Sequence, residues 1–117
     1  MNMLSIGTDI VKIDRIKSLC KDLRFLNKIF SSLEVEYCNS HKEPFIHLSG
    51  KYAAKEAVKK ALLSAKIVKS IPLGDIEVLN NKDKSPYIKL VNLNNMKCNV
   101  SISHDGDYAI AFVIIEK

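Results

Sequence analysis

The chain has 117 residues, of which 47% are hydrophobic, so it can bury one core and is predicted to form a single domain over residues 1–117. The formal charge of +5 favours an acidic partner, such as nucleic acid, an anionic lipid, an acidic protein or a phosphorylated small molecule. No stretch approaches the ~20 apolar residues that span a bilayer, and the N-terminal residues lack a signal-peptide pattern.

The first half of the chain is predicted to fold as one strand followed by helices. Residues 3–13 are mostly apolar and read as a buried strand. Residues 14–30 carry apolar side chains at spacings of three and four, which predicts a helix. A capping box at residues 31–34 predicts that a short helix begins there, and residues 45–67 form the longest predicted helix.

The second half of the chain changes to the two-residue period of strands. Residues 76–79 and 87–91 are predicted strands, and residues 98–103 and 108–116 form a final pair. Asp-Gly at residues 105–106 is a turn signal between the members of that pair. A strand, then helices, then a meander of four antiparallel strands predicts an α+β fold.

Asp9 is the first candidate functional residue. A carboxylate inside an apolar strand is costly unless it is paired or binds a cation. Gly7, two residues earlier, allows a close approach but also suggests a break in the strand at which Asp9 would be exposed. The residues alone leave both interpretations open.

Glu56 is the second candidate. It is the single acidic residue among six basic ones in residues 51–69, and Lys60 stands four residues after it. An ordinary solvated ion pair explains this spacing. However, neighbouring alanines such as Ala57 leave one helix face open to a ligand, and a lone carboxylate beside bound phosphates suits Mg²⁺.

A third cluster follows the strand at residues 98–103. Alternation puts Ser101 and Ser103 on one face and His104 at the strand end, which fits either a plain hairpin or a site. Neither serine has the GxSxG context of a hydrolase nucleophile. His41 and His47 have no informative spacing and are predicted to be surface residues.

Several functional classes lack a signature here. The three cysteines have no CxxC spacing and are predicted to be free thiols of a cytosolic protein. The sequence contains no P-loop, GxGxxG, HExxH or zinc-finger spacing. Nucleic-acid binding keeps only its charge argument.

Taken together, the motifs resemble a known family over essentially the whole chain. The segment Ile-Gly-Thr-Asp-Ile-Val at residues 6–11, with Ile-Asp-Arg-Ile at residues 13–16, is similar to the N-terminal signature of bacterial holo-[acyl-carrier-protein] synthases. Lys-Tyr-Ala-Ala-Lys-Glu-Ala at residues 51–57 resembles the second signature of this 4'-phosphopantetheinyl transferase family. Residues 101–104 and 113–116 are similar to its C-terminal strands.

The resemblance implies an activity and a set of site residues. The reaction would transfer the phosphopantetheine arm of coenzyme A to a serine of apo acyl carrier protein, in fatty acid biosynthesis, and release adenosine 3',5'-bisphosphate. Asp9 and Glu56 match the magnesium ligands. Lys60 would steady the phosphate or help deprotonate the serine, and Lys51 and His104 would line the coenzyme A site.

The resemblance also implies protein partners. Arg15, Arg24, Phe25 and Lys28 fall where the first helices of the family meet the acidic carrier protein. Residues 12–28 hold six basic and two acidic side chains, which suits that partner. Members of the family are trimers with active sites between subunits.

The chain departs from the family pattern at three places. Residues 62–67 replace a glycine-rich stretch, Lys51 replaces an arginine and loses its bidentate phosphate geometry, and residues 84–86 read Lys-Ser-Pro. The rival hypothesis is a non-catalytic basic module that binds an acidic protein or nucleic acid.

Overall fold

The computed structural model describes residues 3–117, in which a long helix packs across one face of an antiparallel sheet. The elements in chain order are β1 (Leu4–Lys12), α1 (Ile13–Leu19), α2 (Leu23–Ile29), α3 (Ser32–Asn39), α4 (Pro44–Ser64), a 3₁₀ turn (Leu73–Asp75), β2 (Ile76–Asn80), β3 (Pro86–Leu90), β4 (Lys97–Asp105) and β5 (Tyr108–Glu116). The predicted α+β class with antiparallel strands is confirmed. The last four strands belong to two sheets, one with the order β1-β5-β4 and one made of β2 and β3.

β1 is continuous, so the predicted break at Gly7 is wrong. Its antiparallel register with β5 runs without interruption from the Leu4–Glu116 pair to the Lys12–Tyr108 pair. The glycine serves a close approach instead, because a Cβ atom at residue 7 would lie 1.9 Å from the carbonyl oxygen of Ala57. β1 and α4 therefore cross with their backbones nearly in contact.

The helix predicted over residues 14–30 is two helices, α1 and α2. The chain turns between them, and the side chain of Asp22 accepts a hydrogen bond from the backbone N–H of Arg24 at 2.9 Å. This cap starts a new helix, because it satisfies one of the N–H groups that a helix start leaves free. Apolar periodicity continued through the turn because both helices pack on the same core.

The long helix α4 begins with Pro44 and ends in a turn that usually contains glycine. Lys66 adopts a left-handed backbone with a φ of 58°. The N–H groups of Lys66 and Ile67 donate to the carbonyls of Leu63 and Leu62, each at 3.0 Å. These two bonds form a Schellman motif, in which glycine is the usual left-handed residue.

The core contains an ion pair that joins three elements. Glu34 of α3 and Lys55 of α4 are both fully buried, and the Lys55 Nζ lies 2.9 Å from the Glu34 Oε1. The other carboxylate oxygen accepts from the Val78 N–H at 2.8 Å, and Lys55 also donates to the Ile76 carbonyl. Glu34 completes the predicted capping box with Ser31. Sequence reasoning missed the buried pair.

The face of the three-stranded sheet that points away from α4 is apolar. Ile6 and Ile10 of β1 are 63% and 60% exposed, and Ile110 and Phe112 of β5 are 43% and 44% exposed. Contiguous exposed apolar patches mark interaction surfaces. Within residues 3–117, no helix is long and apolar enough to span a bilayer.

Candidate functional site

Asp9 points from β1 towards α4 and is largely buried. It lies on the same strand face as Gly7 and Val11, and its side chain is 15% exposed. The Lys60 Nζ donates to the Asp9 Oδ1 at 2.9 Å and to the Thr8 carbonyl at 3.1 Å. Of the two interpretations of Asp9, the structure rules out exposure at a strand break.

Glu56 lies on α4 beside the point where the helix crosses β1. It precedes Ala57, whose carbonyl faces Gly7, and it stands one turn before Lys60. Lys60 forms its ion pair with Asp9, which replaces the solvated helical pair that the spacing suggested. The structure thus brings Asp9 and Lys60 into contact at this crossing, with Glu56 next to the crossing on α4.

The donor atoms at this crossing suit a hard divalent cation. In the described part of the chain, no three His, Cys, Asp or Glu side chains are grouped to hold a metal ion. Asp9 and Glu56 therefore offer two carboxylates, and the remaining ligands must be water or substrate oxygens. This is the usual donor set of Mg²⁺ at phosphate sites, and the residues fit the ion.

Tyr52 connects this crossing with the first helix. It stands four residues before Glu56, and both burial and the charge of Glu56 raise the pKa of its phenol. The Arg15 guanidinium lies 5.8 Å from the centre of the Tyr52 ring, which is within the range of a cation–π contact. The ring of Phe25 lies 6.3 Å away.

Of the four residues that the resemblance assigns to the carrier protein, Arg15 and Phe25 both lie near the Tyr52 ring. Arg15 lies on α1, whereas Arg24, Phe25 and Lys28 lie on α2. The three basic side chains are exposed and Phe25 is half-buried. Tyr52 therefore has Arg15 and Phe25 near its ring and the charge of Glu56 near its phenol.

A separate cavity of about 430 Å³ contains the other two predicted site residues, Lys51 and His104. His104 is exposed at its edge. Lys51 is only 3% exposed, and its Nζ donates to the Val78 carbonyl at 2.6 Å and to the Asn80 side chain. Burial lowers the pKa of Lys51. The hydrogen bonds to Val78 and Asn80 mean that the Lys51 ammonium already has acceptors within the protein.

The prediction that His41 and His47 are surface residues is wrong. Both are half-buried and line the same cavity as His104. The ring centres of His41 and His47 are 4.0 Å apart. The three histidines come from a loop, from α4 and from β4. No sequence signal could have found this cluster, because only tertiary packing brings these segments together.

The cavity and the carboxylate crossing are distinct places on one subunit. Lys84 and Pro86 contribute to the cavity wall, but Asp9, Glu56 and Lys60 do not. A single chain therefore carries the predicted metal ligands in one place and the predicted coenzyme A residues in another.

The cysteines take no part in either place. Cys20, Cys38 and Cys98 are free thiols, as predicted. Burial raises the pKa of Cys38 to about 12 and that of Cys98 to about 11. Such thiols are protonated and unreactive at neutral pH.

Comparison with known sequences defines the class of protein to which this fold and site belong. A sequence model described as the 4'-phosphopantetheinyl transferase superfamily matches residues 5–113. The chain belongs to this family. The family resemblance that the motifs indicated is thereby confirmed.

Named relatives are more specific. A holo-[acyl-carrier-protein] synthase of Thermodesulfovibrio yellowstonii is 46% identical over 112 residues, covering 94% of this chain and 96% of the relative. One from Clostridium botulinum is 43% identical over 119 residues and covers 95% of each chain.

Two solved structures with a similar fold are also holo-[acyl-carrier-protein] synthases. A Helicobacter pylori holo-[acyl-carrier-protein] synthase in complex with coenzyme A has a TM-score of 0.79 at 33% identity, covering 94% of this chain and 98% of that one. A Bacillus anthracis synthase, described as a complex with CoA (3',5'-ADP), has a TM-score of 0.83 at 29% identity and covers 99% and 98% of the two chains. The non-catalytic module is set aside, because the matched family is one of transferases.

Proposed function

We propose that this chain transfers 4'-phosphopantetheine from coenzyme A to a serine of apo acyl carrier protein and releases adenosine 3',5'-bisphosphate. The observation that carries the proposal is the Asp9–Lys60 ion pair at the β1–α4 crossing, with Glu56 beside the crossing on α4, in a chain of this family. The product is the holo carrier protein of fatty acid biosynthesis. We place the enzyme in the cytoplasm, as one domain over residues 1–117.

Asp9 and Glu56 are the residues that would hold Mg²⁺. Both lie at the crossing, and neither is fully exposed. When bound, the ion would neutralise charge on the pyrophosphate oxygens of coenzyme A, as in other phosphoryl transfers. Asp9 is kept in place by Lys60, and the Gly7–Ala57 contact fixes the distance between the two elements.

Lys60 would stabilise negative charge on the pyrophosphate of coenzyme A, either on the phosphate that the serine attacks or on the phosphate that leaves. Its ammonium is exposed on one side and bonded to Asp9 and to the Thr8 carbonyl on the other. An ammonium that donates to a carboxylate has no lone pair with which to take a proton from serine. This pairing favours the phosphate role over that of general base.

The nucleotide part of coenzyme A would occupy the cavity lined by Lys51 and His104. In the part of the chain that the structure describes, no carboxylate contributes to the cavity wall, whereas Lys84 and the histidines add basic groups. The buried ammonium of Lys51 donates its hydrogen bonds to the Val78 carbonyl and to the Asn80 side chain, both in β2. Lys51 would therefore contribute to the shape and the electrostatic potential of the cavity wall.

Acyl carrier protein would dock on α1 and α2. The exposed Arg15, Arg24 and Lys28 match an acidic partner, and Phe25 supplies an apolar contact between them. The contact between Arg15 and Tyr52 would bring the carrier next to Glu56, where the acceptor serine must arrive.

A homotrimer would complete the active site. The apolar outer face of the three-stranded sheet needs a partner, and the carboxylate crossing and the basic cavity are separate on one chain. A second copy packed through this face would bring the cavity of one subunit towards the carboxylates of the next.

The reaction is tested by mass spectrometry. Folded protein, coenzyme A, Mg²⁺ and apo carrier protein should yield a carrier that is about 340 Da heavier, the covalent mass of the arm. The gain should disappear when a chelator removes Mg²⁺. An unchanged carrier mass with folded enzyme would contradict the proposal.

The shared site is tested by mixing two inactive variants. Glu56→Gln removes a carboxylate ligand, and Lys84→Glu with His104→Glu reverses the charge of the cavity. If each site draws on two subunits, mixed oligomers contain some intact sites and regain activity. If both halves must come from one chain, the mixture stays inactive.

A further inference from the structure

His41 and His47 form a stacked pair inside the basic cavity. Their ring centres are 4.0 Å apart with an angle of 36° between the planes. The ring of Tyr37 packs against both, at 4.6 Å from His41 and edge-on at 6.3 Å from His47. The His41 Nδ1 lies 2.8 Å from the Tyr37 carbonyl, to which it donates, so this hydrogen bond fixes the orientation of the ring.

Several basic groups lie around the pair. His41 and His104 face His47 from the preceding loop and from β4, and Lys51 lies one turn further along α4. Lys84 also lines the cavity, and no Asp or Glu side chain of residues 3–117 does so. Two imidazolium ions at this separation would repel each other, so the free cavity disfavours a positive charge on both rings at once.

We propose that the His41–His47 pair is a proton-linked subsite for a phosphoryl group of the nucleotide, and that one imidazole becomes protonated when this anion enters. The inference rests on the proposed function only for the identity of the ligand, the nucleotide part of coenzyme A. The proton is taken from the buffer, and the resulting imidazolium donates to a phosphoryl oxygen. No covalent bond is made or broken.

The physical reason is that the ligand supplies the counter-charge that the cavity lacks. Burial, with the charges of His41, His104 and Lys51, lowers the pKa of His47 in the free protein. A phosphate dianion at hydrogen-bond distance reverses this balance and raises the pKa of the pair. Binding and protonation therefore favour each other, and affinity must increase as the pH falls through the pKa of the bound state.

The experiment is calorimetric titration of the full-length protein with adenosine 3',5'-bisphosphate. Measurements in two buffers of different ionisation enthalpy, between about pH 6.5 and 8.5, count the protons taken up on binding. Wild-type protein should take up a fraction of one proton, and affinity should rise by up to about tenfold per unit fall in pH. Adenosine, which has no phosphate, should give no uptake.

Two variants and one spectroscopic measurement identify the groups. His41→Gln and His47→Gln should lose most of the uptake and the pH slope, whereas Glu36→Gln, an exposed change that does not line the cavity, should keep them. Ionisation of the ligand itself is common to all four proteins and cancels in the comparison. Since the chain has three histidines, NMR titration of their ring protons gives each pKa with and without ligand, even if a variant does not fold.

The outcomes separate this inference from the proposed function. Proton uptake that disappears in the two variants, with a His41 or His47 pKa that rises on binding, supports the inference whether or not the carrier is modified. Affinity independent of pH, uptake unchanged in the variants, or no binding of the bisphosphate would overturn it, even if phosphopantetheine transfer is found.

Discussion

Replacing Glu34 with leucine should destabilise the protein far more than replacing its partner Lys55 with methionine. The Glu34 carboxylate accepts from Lys55, from the Ser31 N–H and from the Val78 N–H, all between 2.8 and 2.9 Å. Glu34→Leu therefore leaves a buried ammonium without its counter-charge and a buried N–H without an acceptor. Lys55→Met leaves Glu34 with two backbone donors.

The magnitudes follow from these partners. An uncompensated buried charge costs about 3–5 kcal/mol, and an unsatisfied buried donor costs about 1–3 kcal/mol. Glu34→Leu should thus lose roughly 4–8 kcal/mol, out of a typical total of about 5–15 kcal/mol. Lys55→Met should lose about 3 kcal/mol, the lower end of the range for a broken pair.

The double variant is the decisive comparison. Glu34→Leu with Lys55→Met removes both charges and leaves chiefly the orphaned N–H groups. It should therefore be more stable than Glu34→Leu alone. Glu36→Ala, an exposed change on the same helix, is the control and should shift stability by less than about 0.5 kcal/mol.

Urea unfolding followed by circular dichroism measures these differences. All proteins must be compared at one concentration, because the proposed association of subunits would stabilise the folded state. If Glu34→Leu is no less stable than Lys55→Met, or if the double variant loses the sum of the single losses, the buried pair does not join α3, α4 and β2 as described.

Three further predictions concern single places in the fold. Gly7→Ala should lower the midpoint of thermal unfolding sharply, because the new Cβ would lie 1.9 Å from a backbone carbonyl of α4. The control is Gly106→Ala, which has open space around it and should lower the free energy of unfolding only by the ~1–2 kcal/mol that its positive φ costs. Lys66→Gly should raise the free energy of urea unfolding by about 0.5–1 kcal/mol, since glycine adopts the left-handed φ of 58° without strain; equal or lower stability would contradict the Schellman turn. Arg24→Glu with Lys28→Glu should raise the KM for carrier protein at least about tenfold while leaving the KM for coenzyme A unchanged, and equal effects on both would place the carrier elsewhere.

Sequence patterns predicted the elements where local chemistry is decisive. The capping box at Ser31 and the switch of period before β2 both depend on neighbours in the chain, and both are confirmed. The division of residues 14–30 into two helices was missed, because the same apolar period runs through both. A cap at Asp22, visible only as one polar residue among many, decides the break.

The candidate site, like the fold, could be predicted from the sequence only in part. Asp9, Glu56 and Lys60 could be named from motifs, but which ion pair forms could not, since the Lys60–Asp9 pair spans 51 residues. The stacked histidines and the buried Glu34–Lys55 pair likewise depend on contacts between distant segments. A polar residue inside an apolar period, such as Glu34, is the one signal that could have suggested a buried partner.

The most direct test of the account is transfer to apo carrier protein by Glu56→Gln and Asp9→Asn, compared with wild type and Glu36→Gln. Single-turnover mass spectrometry should show full modification of the carrier by wild type and by Glu36→Gln in the presence of Mg²⁺. The two carboxylate variants should be slower by at least about two orders of magnitude, with Mg²⁺ affinity weakened in a binding titration without coenzyme A. Rapid transfer by either carboxylate variant, at the same Mg²⁺ concentration, would contradict the claim that Asp9 and Glu56 carry the reaction.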